Sequence, residues 1–267
     1  MSWWGKLIGG ALGFSVGGPL GAAMGAMLGH SFDKGVDQDF GSASSIEQVQ
    51  AAFFTATFTV MGKLAKADGR VSENEIAAAR QVMEQMGLTD QLKKSAIDLF
   101  NQGKADSFDW RGSVEQFNQI AGRQKNLKQM FLEIQIQAAM ADGSIDRSEQ
   151  ELLAEITAIL RFSPILLQQL IAMVQAQNYF HQGGGQSYQQ HASQVHSATK
   201  LQQAYALLGV NKDDDDKLVK KAYRRLMSQH HPDKLVAKGL PEEMIKMATE
   251  KTQEIKMAYE TIIASRR

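Results

Sequence analysis

Hydrophobic residues in the middle of the chain recur every three or four positions, which is the spacing of a helix that buries one face. In the first such stretch the pattern runs through Val49, Ala52, Phe53, Ala56 and Val60. No run of alternating apolar and polar residues, which would indicate a half-buried strand, interrupts the series. The pattern therefore predicts an all-α domain over residues 46–176, with seven helices: Ile46–Ala67, Asn74–Met86, Asp90–Asn101, Val114–Ala121, Leu127–Ala141, Arg147–Leu160 and Ile165–Gln175.

Near the C-terminus, a further amphipathic stretch has one apolar half and one strongly basic half. Wound at about 100° per residue, residues 217–227 collect their apolar side chains on one side: Leu218, Val219, Ala222, Tyr223, Leu226 and Met227. The other side, called here the basic face, carries five cations and no acid: Lys217, Lys220, Lys221, Arg224 and Arg225. Because Pro232 disfavours helical backbone at His231 and donates no amide, the helix should end near His230 and place His231, Pro232 and Asp233 in a loop.

Helical patterns lie on both sides of this stretch. Upstream, Tyr205–Val210 forms a short pattern that ends at a glycine, and Asp213–Asp216 should cap the basic helix. Downstream, Gln253–Glu260 belongs to another amphipathic helix. A short helix, a basic helix, a His-Pro-Asp turn and an antiparallel helix over 200–263 resemble the J-domain of DnaJ-type co-chaperones. We therefore expect a J-domain helical hairpin over residues 200–267, called here the J-module.

The resemblance to J-domains carries expectations about function. It implies that the basic face docks on an acidic surface of a DnaK-type chaperone and that the His-Pro-Asp turn transmits the effect to the partner's ATPase. The partner-binding residues that it implies are Lys217, Lys220, Lys221, Tyr223, Arg224, Arg225, His231, Pro232 and Asp233. The DnaJ-type Gly/Phe-rich region and zinc-binding cysteine repeats are absent from the sequence, which puts client capture by those elements in doubt.

The N-terminal segment is apolar and rich in glycine. No side chain from Leu7 to Gly29 carries a formal charge, and 23 residues at about 1.5 Å each are enough to cross a bilayer. We predict a short tail over residues 1–6 and a transmembrane helix over residues 7–30. The alternatives are a cleaved signal peptide, a flexible glycine-rich tail, and a segment that enters the membrane without crossing it, since Pro19 and the glycines weaken the helix.

Glycine recurs at every fourth position of this segment and predicts a close helix–helix contact. A stripe formed by Gly9, Gly13, Gly17, Gly21 and Gly25 would let a second helix approach backbone to backbone. We therefore expect a homodimer through the transmembrane helix.

The direction of the span depends on which argument is followed. Lys6 precedes it, whereas Lys34 is accompanied by three aspartates, so charge alone mildly favours an N-terminus inside the cell. The resemblance implies the reverse, because a J-domain meets its ATP-driven partner in the cytosol. We expect a single-pass protein of the bacterial inner membrane, with a periplasmic N-terminus and cytoplasmic C-terminal domains.

An internal repeat occurs within the middle domain. Ala67-Asp68-Gly69 and Ala141-Asp142-Gly143 each follow a long helix, and each precedes a capping-box spacing, Ser72…Glu75 or Asp146…Glu149. An EF-hand is disfavoured, because the first ligand positions would fall on Leu64 and Ala138. The repeated pattern in an all-helical domain instead resembles the TerB-like fold of tellurite-resistance proteins. The repeat's acids Asp68, Glu75, Asp142 and Glu149 could form a weak cation or docking site, but we expect helix caps.

Between the two domains, residues 177–199 are rich in Gln, Gly, Ser and His. Such a composition buries too little apolar surface to offset the entropy of ordering, so it predicts a flexible linker.

Charge and cysteine content narrow the function classes. The net charge of zero divides into +1 over residues 1–30, −5 over 31–199 and +4 over 200–267, so the positive charge is local to the J-module. The absence of cysteine excludes disulfides, thiolate metal sites and a cysteine nucleophile. Without a Ser-His-Asp arrangement or a phosphate-binding motif, we expect no enzyme, no cofactor and no metal site.

As a whole, the chain resembles the membrane-anchored DnaJ-like co-chaperones of Gram-negative bacteria. The resemblance implies stimulation of DnaK's ATPase and a link to envelope-stress or capsule signalling. Two alternatives stay open: a membrane-tethered nucleic-acid binder that uses the basic face, although we expect no nucleic-acid partner, and a metal-responsive helical bundle.

Overall fold

The computed structural model describes residues 45–67, 69, 71, 73–141, 143–182, 193–241 and 244–266. Within these ranges all regular secondary structure is helical, which confirms the predicted all-α fold class. The middle domain has the seven predicted helices, referred to together as the bundle: α1 (Ser45–Leu64), α2 (Glu73–Gln85), α3 (Asp90–Gly103), α4 (Trp110–Ala121), α5 (Lys125–Ala139), α6 (Arg147–Ile159) and α7 (Pro164–Gln182). The C-terminal helices are α8 (Ser193–Leu208), α9 (Asp216–Gln229), α10 (Pro232–Val236) and α11 (Ile245–Ser265).

Helix α1 lies at the centre of the bundle and packs against α3, α4 and α5. Its ring Phe53 meets Phe117 of α4 edge-on at 5.8 Å between centroids and Phe131 of α5 at 6.3 Å. All three rings are fully buried, and such edge-to-face pairs add to the stability that burial itself gives. The apolar spacing read from the sequence therefore marks the true core.

Two glycines allow α1 and α3 to pack backbone to backbone. A Cβ on Gly62 would lie 2.0 Å from the Phe100 carbonyl oxygen, and one on Gly103 would lie 1.8 Å from that of Thr59. No side chain fits at either position, so both helices depend on glycine for this contact.

Helix ends follow the predicted capping chemistry where the structure describes them. Asp146 and Glu149 form a reciprocal capping box at the start of α6, with hydrogen bonds of 2.8 and 2.9 Å. Gly69 and Gly143 both have positive φ, at 92° and 95°, as the repeated turn requires. Asp68, Ser72 and Asp142 lie outside the described residues, as does the side chain of Glu75.

The J-module is a hairpin of α9 and α11 supported by α8. Tyr223 of α9 stacks on Tyr259 of α11 with 4.3 Å between ring centroids. Arg266, just beyond α11, donates to Asp216 at the first residue of α9 over 2.7 Å and to the Tyr205 hydroxyl of α8 over 3.0 Å. The end of α11 therefore meets the start of α9, so the two helices run antiparallel, as predicted.

The predicted linker is shorter than residues 177–199. Helix α7 continues to Gln182 and α8 begins at Ser193, so only 183–192 lies outside the described residues in this part of the chain. The first residue of the predicted linker is held by the J-module, since the Lys251 ammonium of α11 donates to the Gln177 side-chain oxygen. Helices α7 and α8 also pack against each other. Composition alone therefore missed the effect of tertiary packing on a polar sequence.

The N-terminal predictions lie outside the described residues. These are the tail over 1–6, the transmembrane helix over 7–30 and the dimerisation stripe of Gly9, Gly13, Gly17, Gly21 and Gly25. Within the described part of the chain, no helix has the length and apolar character that a membrane crossing needs.

Candidate partner-docking surface

Helix α9 presents the basic face to solvent. Val219, Ala222 and Leu226 are buried against the hairpin, and all five basic-face residues are exposed. Among the described residues, none of these five cations lies within 4.0 Å of a carboxylate. One position departs from the helical wheel: Leu218, expected in the core, is 48% exposed in the first turn of α9, before the helix is fully covered by its neighbours. The face is therefore a strip of unneutralised positive charge.

The start of α9 is fixed by the aspartates that precede it. The Asp215 carboxylate accepts a hydrogen bond of 2.7 Å from the Leu218 amide, and Asp216 lies in the first turn. Both places suit negative charge because the N-terminus of a helix has a partial positive charge. The prediction that the aspartate run caps the basic helix is confirmed.

The tripeptide after α9 joins two helices. His230 is the C-terminal cap of α9, and His231 has extended backbone, with φ −61° and ψ 122°, as expected before proline. Pro232 then begins the short helix α10, so Pro232 and Asp233 are helical rather than in a loop. The reason is that proline is well accommodated at a first helical position, where its missing amide has no partner to lose. The Lys234 ammonium ties α10 to Ser228 over 2.7 Å.

Exposure differs along the His-Pro-Asp turn. Asp233 is exposed, whereas His231 and Pro232 are half-buried. The Nδ1 atom of His231 is buried and has no hydrogen-bond partner among the described residues. Tyr223 is half-buried by its stack on Tyr259, so it faces the hairpin more than solvent. The structure thus places the five cations and the turn on one continuous part of the J-module, with the turn at the C-terminal end of the basic face.

The residue before the turn, which the sequence did not single out, is buried against the bundle. His230 is 2% exposed, and its Nε2 lies 3.5 Å from Oε1 of Glu133 on α5. The Lys251 ammonium of α11 lies 3.6 Å from the other oxygen of Glu133, and the Gln129 amide donates to Glu133 over 2.9 Å. The sequence did contain one signal, because Glu133 is a charged residue within an apolar run of α5. Nothing in the sequence, however, pairs Glu133 with His230, which lies about a hundred positions away.

The ionisation of this cluster follows from its burial and charges. Burial lowers the pKa of His230, and the nearby Lys251 ammonium lowers it further, while the Glu133 carboxylate opposes both. Burial disfavours the charged form of Glu133, but the charges of His230 and Lys251 and two hydrogen bonds outweigh it and hold its pKa below the usual range.

A cavity of about 760 Å³ lies beside the cluster, between α2, α5 and α7 of the bundle and α11 of the J-module. Its walls combine amide side chains, including Gln81, Gln85 and Gln137, with apolar ones such as Met130, Ile134 and Met247. The J-module and the bundle are therefore in contact without filling the space between them.

Of the four acids in the internal repeat, the structure describes the side chain of Glu149 alone. Glu149 is 6% exposed and is engaged in the capping box at the start of α6. Within the described ranges, no group of three or more His, Asp or Glu side chains could hold a metal ion.

Comparison with known proteins divides the chain into three segments. Residues 1–39 match a family model described as the co-chaperone DjlA transmembrane domain, 54–172 match the tellurite resistance protein TerB, and 203–267 match the DnaJ domain. Three curated relatives carry the name co-chaperone protein DjlA. The protein from Coxiella burnetii is 47% identical over 98% of this chain and 97% of its own length. Those from Aliivibrio fischeri and Salmonella typhimurium are 44% and 43% identical, over 98% of this chain and 98% and 97% of their own lengths. No solved structure matches.

Proposed function

The chain belongs to the DjlA family of co-chaperones, and on that premise we propose that its J-module binds a DnaK-type chaperone and stimulates the partner's ATP hydrolysis. The observation that carries the proposal is the exposed basic face of α9, which ends at the His-Pro-Asp turn. The free energy involved is a coupling between two sites on the partner, since the chain would act on a nucleotide that it does not itself hold.

The basic face supports the first step, which is docking. Five exposed cations, none of them within 4.0 Å of a carboxylate that the structure describes, attract an acidic surface from a distance and orient it on approach. Contacts of this kind are screened by salt, because the charges stay close to water. The partner surface that fits is therefore an acidic one.

The His-Pro-Asp turn supports the second step, which is coupling. Its three residues lie at the end of the basic face, so docking brings His231, Pro232 and Asp233 against the partner together. Asp233 is exposed and carries a charge that a partner can bind, and the two helices on either side fix the turn's direction. The turn is the part of the J-module that is placed to sense and change the partner's conformation.

The N-terminal 39 residues support a membrane anchor, which would keep this activity at the inner membrane. We propose a single crossing with the N-terminus in the periplasm and the J-module in the cytoplasm, where DnaK and ATP are. The glycine stripe supports a homodimer, which would present two J-modules side by side. A link to envelope-stress or capsule signalling stays a prediction.

Single-turnover ATP hydrolysis by DnaK, measured with the full chain in nanodiscs, tests the proposal. The wild-type chain should accelerate hydrolysis, and His231→Gln and Asp233→Asn should each abolish the acceleration while the circular dichroism spectrum is unchanged. Asp106→Asn is the matched control, because Asp106 is an exposed acid of the bundle with a side chain 83% accessible. Acceleration by His231→Gln equal to wild type would show that the turn does not couple the two proteins.

A gel shift with the same protein preparation distinguishes this function from nucleic-acid binding. A recognition helix reads bases with the residues near its N-terminus, whereas α9 has Asp215 and Asp216 there, which repel phosphates. We expect no saturable binding to DNA or RNA at physiological salt in gel shifts with the same preparation. Saturable binding without acceleration of DnaK would favour the nucleic-acid function instead.

A further inference from the structure

Besides the packing of α8 on α7, the J-module contacts the bundle at two places that lie on either side of the His-Pro-Asp turn. The first contact follows the turn. Gly239, with φ 97°, lies so close to α1 that a Cβ there would be 2.5 Å from Cγ1 of Val49. The next carbonyl, that of Leu240, accepts a hydrogen bond of 3.4 Å from the Gln50 side chain of α1. The segment between α10 and α11 is therefore packed onto the first helix of the bundle.

The second contact precedes the turn. His230 and Lys251 of the J-module converge on the buried Glu133 of α5, at 3.5 and 3.6 Å, and each of the three residues is less than 10% exposed. Together, the Glu133 cluster and the Val49–Gly239 contact are called here the docking seam. Because His230 is adjacent to His231, the seam restrains the turn from its N-terminal side as well.

One polar atom of the turn is inaccessible to a partner in this arrangement. Nδ1 of His231 is buried with no hydrogen-bond partner among the described residues, so this nitrogen points away from solvent. A partner that needs to bind this nitrogen has to loosen the turn first. Buried polar groups without partners are unfavourable, so release of the turn is favoured by the hydrogen bond that a partner or water would then supply.

The seam has the properties of a reversible contact. A buried ion pair contributes little net stability, because the loss of hydration offsets most of its attraction. The cavity of about 760 Å³ beside it leaves the two domains incompletely packed at this place. Contacts between domains of one chain resemble transient interfaces in this respect.

We propose that the bundle is a docking surface for the chain's own J-module, and that docking through Glu133 restrains the His-Pro-Asp turn and lowers the activity of the J-module. The proposal rests on the proposed function for its activity readout, although docking itself is measurable without a partner. The restraint ends when the Glu133 contact opens, and the turn is then free to adjust to DnaK.

A charge exchange across the seam tests the proposal. Glu133→Lys places two cations in contact and should open the seam, whereas Glu133→Lys combined with Lys251→Glu restores an opposite pair and should close it again. The matched control is Lys256→Glu, which makes the same charge change as Lys251→Glu on the same helix, at a side chain 61% exposed. All variants are made in the full chain in nanodiscs.

Docking is measured by double electron–electron resonance (DEER) spectroscopy, which gives the distribution of distances between two spin labels. Because the chain has no cysteine, Arg123→Cys and Gln253→Cys carry the only spin labels, one on the bundle and one on the J-module, both at exposed positions. Wild type and the Lys256→Glu control should give one narrow distance distribution. Glu133→Lys should give a broad one, and the exchanged pair should return it to narrow. Equal distributions in all four proteins would overturn the docking seam.

Activity is measured by single-turnover ATP hydrolysis of DnaK with unlabelled proteins. We expect Glu133→Lys to raise stimulation by about threefold to tenfold at limiting concentration, as an opened two-state element would, and the exchanged pair to return it to wild type. A broad distance distribution with unchanged or lower stimulation would overturn the restraint while leaving the seam intact. Absence of stimulation by every protein, with the distance changes as expected, would overturn the proposed function and keep the docking.

A second variant covers the case in which Glu133→Lys fails to fold. Gly239→Ala strains the backbone at a φ of 97° and forces the segment after α10 away from Val49, and it changes no charge and no residue in the core of the bundle. It should broaden the distance distribution and raise stimulation in the same direction. A narrow distribution with this variant would contradict the seam independently of the Glu133 cluster.

Discussion

Charged side chains of the J-module occur in two opposite settings, the basic face of α9 and the docking seam. On the basic face, five cations are exposed and have no carboxylate within 4.0 Å among the described residues. In the seam, Lys251 is buried and lies against Glu133, which accepts a further hydrogen bond from Gln129. Exposed charges act on another molecule and weaken in salt, whereas buried charges act within the chain and barely respond to it. The same residue type therefore serves association in one place and domain contact in the other.

The largest difference should appear when one lysine is neutralised in each setting. Lys251→Met leaves the buried Glu133 without its ammonium, and removing one partner of a buried ion pair costs about 3–5 kcal/mol. Lys220→Met on the basic face should change the free energy of unfolding by less than about 0.5 kcal/mol. Urea unfolding of the full chain in detergent, followed by circular dichroism, measures both.

A control shows whether the loss comes from the unpaired carboxylate. Glu133→Gln added to Lys251→Met removes that charge, so most of the lost stability should return. Similar losses for the two lysine variants, or no recovery in the double variant, would mean that the seam is no more than an exposed ion pair.

The two settings also differ in how far sequence reasoning reached them. The basic face and its capping aspartates follow from the helical period and from local charge, so α9 could be predicted to within two residues at each end. The seven helices of the bundle were also predicted from their amphipathic pattern, but α4 begins at Trp110 rather than Val114, and α7 ends at Gln182 rather than Gln175. Contacts between residues that are distant in the sequence could not be predicted. Local patterns do not say that His230 meets Glu133, or that a glutamine-rich segment after residue 176 continues α7 and packs on α8.

Leu218 and Pro232 show the limits of the same reasoning on a smaller scale. A helical wheel assigns Leu218 to the core, but the first turn of α9 extends beyond the helices that would cover it. Proline was expected to leave the tripeptide in a loop, whereas it begins a helix. Period and propensity define the faces of a helix, and the neighbouring elements decide which part of each face is covered.

The second-largest difference between the docking seam and the basic face should appear on acidification, which should destabilise only the seam. His230 has a lowered pKa in the folded chain because it is buried, so it binds fewer protons than the same histidine in the unfolded chain. Stability from the seam is therefore complete above about pH 6.5, the ordinary histidine value, and falls as the pH decreases below it. No such change is expected for the basic face, which contains no histidine.

Distance spectroscopy of the labelled chain between pH 8 and pH 5.5 measures this effect. The distribution should broaden as the pH falls, and His230→Gln should remove the dependence in this range, since glutamine does not titrate. In the wild-type chain the carboxylate of Glu133 does not contribute, because its pKa is held below the usual range. A broadening of the same size in His230→Gln would assign the pH dependence to another group.

The smallest expected effect concerns a single cation of the basic face. Arg225→Ala removes one exposed charge from the docking surface, and one such contact contributes about 0.2–1 kcal/mol, or at most about a fivefold change in affinity for DnaK. Because the interaction is electrostatic and exposed, the difference between wild type and variant should be largest at low salt and should shrink as the ionic strength rises. Equilibrium binding to DnaK at two salt concentrations measures this difference.

The control is Lys246→Ala, which removes an exposed cation of α11 outside the basic face and should leave the affinity unchanged at both salt concentrations. A loss for Arg225→Ala that is the same at low and high salt would mean that its side chain is buried on docking and acts as the seam residues do, which would remove the distinction between the two settings.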